Sequence, residues 1–147
     1  MFTVVGASGY VGSRLLTRLA AEGASVRAVA RRKDSVTVPG VDVVEADLTR
    51  PDSLPAALEG AEVVFHCAAI TGDRKEPYRG AYDAVNRRGT ENLVRAAEAA
   101  GCRRLVVMSG LGLRPAPAGT YMATRWGLEE AVRAGSCACG LAIAVWA

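Results

Sequence analysis

The 147-residue chain is poor in the groups that build metal centres, disulfide frameworks and membrane spans. It has a single histidine, His66, and four cysteines, Cys67, Cys102, Cys137 and Cys139. The cysteines form no Cys-x-x-Cys pair and no ligand spacing with His66, so no metal site is expected. They read instead as reduced, mostly buried thiols of a cytoplasmic protein. No apolar run approaches the roughly 20 residues of a spanning helix, so no membrane insertion is expected. No leader is expected either, because an apolar strand begins at Phe2 and a glycine turn follows at once. The net charge is only +3 and is spread along the chain, which gives no argument for a nucleic-acid partner. Aromatic residues make up 5% of the chain.

What the chain does have is aliphatic bulk. Half of it is hydrophobic, with many Ala, Val, Leu and Gly, a composition suited to a parallel sheet packed between helices. Its length predicts one domain, residues 1–147. The most informative stretch is Phe2-Thr-Val-Val-Gly-Ala-Ser-Gly-Tyr-Val-Gly12. A β-branched strand runs into Gly6, Gly9 and Gly12, and Val11, Leu15, Leu16, Leu19 and Ala20 then recur at helical spacing. Three glycines at a strand-to-helix turn suit the pyrophosphate of a dinucleotide. Gly6 takes the tight turn, Gly9 admits the phosphate to the main chain, and Gly12 allows close packing of the new helix. The helix N-terminus adds N–H donors and a partial positive charge. A tight turn without a ligand is the plainer alternative.

Further strands are predicted at Ser25–Ala30, Val41–Ala46, Glu62–Cys67, Arg104–Met108 and Leu141–Trp146. Helices are predicted over Pro51–Leu58, between Gly80 and Gly101, and over Tyr121–Ala134. The long central helix should turn Val85, Gly89, Leu93 and Ala97 inward. This alternation predicts βαβ units: an α/β, Rossmann-like doubly wound parallel sheet of five to six strands, with helices on both faces and ligand at the strands' carboxyl ends.

Candidate site residues fall at those ends. Arg31 and Arg32 follow the second strand, where an acid favours a free ribose 2′-hydroxyl and an arginine accommodates a 2′-phosphate. NADP is therefore expected in preference to NAD; two ordinary surface arginines are the alternative. Asp47 closes the third strand, either as an acceptor for the adenine amino group or as a turn aspartate. Ala68 and Ala69 are small enough to lie against a ribose, and His66 reads as a packed, satisfied histidine. Tyr121 and Arg125 stand at i and i+4 on one helical face. A neighbouring cation makes a phenol a usable acid or base, although the same spacing occurs in any amphipathic helix.

Taken together, Gly6–Gly12, Ala46-Asp-Leu48, His66-Cys-Ala-Ala69, Val85-Asn86 with Gly89-Thr-Glu-Asn-Leu93, Met108-Ser109 and Tyr121-x-x-x-Arg125-Trp126 with Glu129-Glu130 resemble the extended and atypical short-chain dehydrogenase/reductases. This is the group of NAD-dependent epimerases and dehydratases, and the chain looks most like the branch containing the nucleotide-binding accessory subunit of respiratory complex I. The resemblance implies that Gly6, Ser8, Gly9, Tyr10, Val11 and Gly12 hold the pyrophosphate. It gives Arg31 the 2′-phosphate, Asp47 and Leu48 the adenine, and Ala68 and Ala69 the ribose. Tyr121 becomes the acid/base, with Arg125 at the nicotinamide ribose and Ser109 as a substitute hydroxyl. It implies an NADP-dependent oxidoreductase or a sugar-nucleotide epimerase/dehydratase-like enzyme acting on a small-molecule substrate, or else a non-catalytic NADPH-binding module.

Three departures stand out. The family's Tyr-x-x-x-Lys is Tyr-x-x-x-Arg here, and Gly110 and Leu111 occupy the usual place of the catalytic hydroxyl. The Arg-Pro segment and C-terminal substrate lobe are not found. An unfinished sheet edge favours a homodimer, and an apolar stretch at Leu141–Trp146 favours a protein partner.

Overall fold

A computed structural model describes residues 1–73, 75–110 and 112–135, together with the backbone of 142–146. Six strands, β1 (Phe2–Val5), β2 (Val26–Ala30), β3 (Asp42–Glu45), β4 (Val63–His66), β5 (Arg104–Gly110) and β6 (Ala142–Trp146), form one sheet. Their order is β3-β2-β1-β4-β5-β6, and every pairing is parallel. The helices are α1 (Tyr10–Ala21), α2 (Leu54–Leu58), α3 (Gly89–Ala99) and α4 (Tyr121–Ala134). The chain order reverses at β1, which pairs through Val5 with Val29 on one side and His66 on the other. In open parallel sheets that reversal leaves a crevice at the carboxyl ends, where ligands bind.

Strand alternation sends consecutive residues to opposite faces, and the core divides accordingly. Val5, Val29, Val64, Leu105 and Val107 face α2, α3 and α4, burying Leu54, Leu58, Leu93, Ala97 and Leu128. Val4, Val26 and Ala28 face the other way, against Leu16 of α1 and the Val36, Val38 and Val41 side chains. Helices thus cover both faces, as the composition predicted.

The elements agree with the sequence reading, with two instructive differences. β5 continues two residues past Met108 and carries Ser109 into the sheet. The central helix opens with a π-helical segment, Asp83–Arg88, ahead of α3. Gly89, Leu93 and Ala97 are buried as expected, but Val85 is only half-buried and Asn86 turns inward in its place. The wider π turn rotates the residues before it relative to a regular helix. Leu141 and the side chains of the predicted apolar stretch to Trp146 lie outside the described residues, as do Cys137 and Cys139. Among the described residues no helix is long and apolar enough to cross a membrane. No group of three or more His, Cys, Asp or Glu able to hold a metal occurs among them.

Candidate functional site

The glycine turn joins β1 to α1 at the reversal point. Gly6 has φ +82°, and a Cβ there would lie 2.6 Å from the Ala68 nitrogen. The glycine therefore serves both the turn and the approach of the segment after β4. A Cβ on Gly12 would lie 2.2 Å from the Gly6 carbonyl oxygen, so the close contact of α1 is with the turn itself. α1 has Gly9 at its N-cap, no side-chain cap and no acidic residue in its first turn. The Val11 and Gly12 N–H groups have no partner among the described residues. Ser8, Gly9 and Tyr10 are exposed beside them. Uncapped donors and positive φ at Gly6 form a cradle that fits a pyrophosphate, so the residues present are compatible with a dinucleotide.

Directly after β2, Arg31 is exposed and forms no ion pair among the described residues, while Arg32 pairs with Asp34 at 3.4 Å. With Ser8 and Ser35 they line an open cavity of about 380 Å³. After β3, Asp47 Oδ1 accepts from the Thr49 N–H and hydroxyl, each at 2.8 Å, an Asx turn that leaves Oδ2 without a hydrogen bond among the described residues. Both sequence readings of Asp47 are thus compatible in one side chain. Leu48 is 7% exposed and packs in the core.

Ala68 is half-buried and Ala69 exposed. Asn86, fully buried by the π turn, holds the next residue: Ile70 donates its N–H to Oδ1 at 2.9 Å, and Nδ2 donates to the Ile70 carbonyl at 3.0 Å. Thr90 donates its hydroxyl to the Asn86 carbonyl at 2.7 Å, so His66 Nε2–H is the donor in their 2.8 Å contact. That leaves His66 Nδ1 as a buried lone pair without a partner. The histidine is packed, as expected, but only half satisfied. Burial, followed by the charge of Arg125, pushes its pKa down to about 3, so the ring stays neutral.

The remaining side chains ride on α4. Thr120 caps the helix, its hydroxyl oxygen accepting from the Ala123 N–H at 3.2 Å. Tyr121 begins it, half-buried, with its ring edge-on to Tyr82 at 5.6 Å. A Cβ on Gly72 would lie 2.8 Å from Tyr121 Cδ1, so the segment after β4 lies flat against the phenol ring. Arg125, only 5% exposed, donates from Nη2 to the Met108 carbonyl at 2.7 Å. Burial holds its pKa below the usual arginine range, offset in part by Tyr121 and Glu129. An arginine remains charged there, so Tyr121 has a permanent cation on its own helical face.

Ser109 does not present its hydroxyl to the crevice as the sequence reading expected. It is 5% exposed and donates to Glu129 Oε1, whose other oxygen accepts from Arg133 at 2.7 Å. The extension of β5 causes this: Ser109 shares a face with Leu105 and Val107, toward α4. Asn86, Thr90, Gly72, Tyr82 and Glu129 were not singled out by chemistry in the sequence. The readable signal was a pair of polar residues, Asn86 and Thr90, at a spacing of four in a helix otherwise apolar on that face.

A family profile described as NAD(P)H-binding matches residues 6–135. The 3 beta-hydroxysteroid dehydrogenase/Delta 5-->4-isomerase of Mycobacterium tuberculosis is 37% identical over 112 residues, covering 72% of this chain and 30% of that protein. The structure of MoeE5 in complex with UDP-glucuronic acid and NAD aligns with a TM-score of 0.79 at 29% identity, over 98% of this chain and 52% of that one. A short-chain dehydrogenase/reductase superfamily protein from Agrobacterium tumefaciens with bound NAD aligns with a TM-score of 0.80 at 27% identity, over 99% and 48% of the two chains. The chain therefore spans about a third to a half of the length of these three proteins.

Proposed function

Because the chain belongs to the NAD(P)H-binding family, of the dehydrogenase, reductase and epimerase type, we propose that it binds NADP in preference to NAD and takes part in hydride transfer to or from a small-molecule carbonyl or alcohol. The observation that carries the reading is the placement of Tyr121 and the buried Arg125 at the carboxyl end of β5, on the same sheet end as the glycine turn. The nicotinamide, when bound, supplies or accepts the hydride at the substrate carbon. Tyr121 gives its phenolic proton to the carbonyl oxygen in reduction and takes it back in oxidation. Arg125, one turn along the same helix, holds that end of α4 to β5 through the Met108 carbonyl. Asn86 fixes the segment after β4 through Ile70.

The preference for NADP rests on Arg31, an exposed guanidinium with no carboxylate partner among the described residues, in a cavity shared with Ser8, Arg32 and Ser35. A guanidinium can grip a 2′-phosphate through parallel hydrogen bonds. Calorimetric titration with NADPH and then NADH tests this: tighter NADPH binding supports it, and tighter NADH binding or none of either sinks it. One observation favours a second reading, an NADPH-binding module without turnover. Ser109, the hydroxyl nearest the family's usual place for one, donates to Glu129 and turns away from the crevice. NADPH consumption with a panel of small ketones, abolished in Tyr121→Phe, supports the enzyme; binding without consumption supports the module. The substrate-side partner, the oligomeric state and a cytoplasmic location belong to the same proposal, and a small-molecule substrate is its minimum.

A further inference from the structure

The turn after β3 is tethered from outside by Asn92 of α3. Most of its backbone groups are satisfied locally. The Asp47 N–H donates to Ser53 Oγ at 3.0 Å, the Asp47 carbonyl accepts from the Arg50 N–H at 2.9 Å, and the Thr49 N–H goes to the Asp47 carboxylate. The Leu48 carbonyl is the exception. It accepts from Asn92 Nδ2 at 2.8 Å, across 44 residues of chain. The amide orientation is fixed by its other end, because Asn92 Oδ1 accepts from Arg95 Nη2 at 2.6 Å. One turn earlier in the same helix, Gly89 stands so close that a Cβ there would lie 2.9 Å from Leu48 Cβ. Leu48 is thus pulled toward α3 by one residue and allowed to reach it by the absence of a side chain at another.

We propose that Asn92 and Gly89 are positioning residues for the adenine end of the site: they set the height of the Asp47–Leu48 turn, and through it the place of the Asp47 Oδ2 oxygen that receives the adenine amino group. The inference rests on the cofactor reading above. It goes beyond that reading by giving Asn92 and Gly89 of α3 a function at one part of the nucleotide, the adenine. A carboxylate oxygen accepting from an amino group discriminates adenine from hypoxanthine, which carries a carbonyl oxygen at the same position and meets the carboxylate with repulsion.

The test is the ratio of dissociation constants for NADPH and deamino-NADPH, in which hypoxanthine replaces adenine, measured calorimetrically on the whole chain. The wild type is expected to prefer NADPH by about tenfold, the size of one charge-assisted hydrogen bond gained or lost. Asn92→Ala should bring the ratio to within about twofold of one. Asn92→Asp should do the same, since it keeps the acceptor for Arg95 but has no proton for the Leu48 carbonyl. Gly89→Ala reaches the same readout by pushing Leu48 from the helix side, and it decides the matter should the Asn92 variants not fold. A general loss of stability lowers both affinities and leaves their ratio alone, so the ratio separates positioning from folding. A wild-type ratio retained in folded Asn92→Ala and Gly89→Ala overturns the proposal and spares the cofactor reading, as does a wild type that binds both nucleotides equally. A wild type that binds neither overturns both.

Discussion

The two ends of the crevice are built from different materials. At the β1–β3 end lie backbone N–H groups, glycines without a Cβ, and an exposed cation, Arg31, with no carboxylate partner among the described residues. At the β4–β6 end the polar groups are buried side chains already engaged with one another: Arg125 with the Met108 carbonyl, Ser109 with Glu129, Asn86 with Ile70, His66 with Thr90. On the proposed function, the first end would gather affinity from donors that cost little to leave in water. The second fixes a few groups in one geometry by leaving them no alternative partners, as positioning a proton donor requires. Binding and chemistry should therefore be separable by mutation.

The largest expected effect comes from the binding end. Gly12→Ala puts a methyl group 2.2 Å from the Gly6 oxygen, a contact with backbone that cannot yield without moving the start of α1. NADPH affinity should fall by on the order of a hundredfold or more by calorimetry, and turnover with it, since the Val11 and Gly12 donors lose their aim. Retained affinity would break the comparison at once. At the chemistry end, Tyr121→Phe should lower turnover by roughly 10² to 10⁴, the usual contribution of a positioned acid, with the NADPH dissociation constant unchanged. If Tyr121→Phe weakens cofactor binding to a comparable degree, the two ends are not separate.

His66 gives a third test, of the cost of closing the chemistry end. Its folded pKa of about 3 lies below an unfolded value of about 6.5. The unfolded chain thus takes up a proton at a pH where the folded chain does not. Stability from this group is complete above about pH 6.5 and is lost as pH falls toward 3, by about 1.4 kcal/mol per pH unit within that window. Denaturant unfolding of the wild type between pH 6.5 and 4.5 should show this slope in excess of that of His66→Gln. As His66 is the only histidine, its imidazole resonances report its protonation without assignment. A ring that titrates near 6.5 in the folded protein would refute the account. Arg31→Ala should have a smaller effect, a loss of about tenfold in NADPH affinity with NADH affinity nearly unchanged, as removal of one charge-assisted contact to the 2′-phosphate predicts.

The same division explains what could be read from the sequence. The glycine turn, the arginine pair after β2 and the Tyr121–Arg125 spacing are local patterns, and each element that carries them is found where the alternation of strands and helices puts it. The engaged end is non-local. Ser109 meets Glu129 only after β5 and α4 have packed, and its hydroxyl reads as available until the strand is seen to run two residues further. Asn86 was hidden by the π turn, because a regular helix would place Val85 on the inward face. Arg27 caps the carbonyls of Ala57 and Glu59 at the end of α2 from 30 and 32 residues away, which no periodicity announces. Side chains whose partners lie on another element are legible only as unusual polarity on an apolar face.

The smallest effect sharpens the comparison most finely, because it asks what holds Tyr121 in place. Thr120 caps α4 directly before it: its hydroxyl oxygen accepts from the Ala123 N–H, and its proton goes to the Pro117 carbonyl at 2.8 Å. Thr120→Ala removes both and should cost about 1 kcal/mol of stability, read as a fall in the denaturation midpoint, while Thr120→Ser should recover most of it. Turnover should nevertheless change by less than about twofold, the equivalent of a few tenths of a kcal/mol in the barrier. Tyr121 is fixed by Gly72 on one side and Tyr82 on another, and its helix is pinned one turn later by Arg125 on the Met108 carbonyl. The cap lies on the solvent side of those contacts. A large loss of turnover in Thr120→Ala with stability intact would mean that the N-cap, and not the packing around the ring, places the phenol.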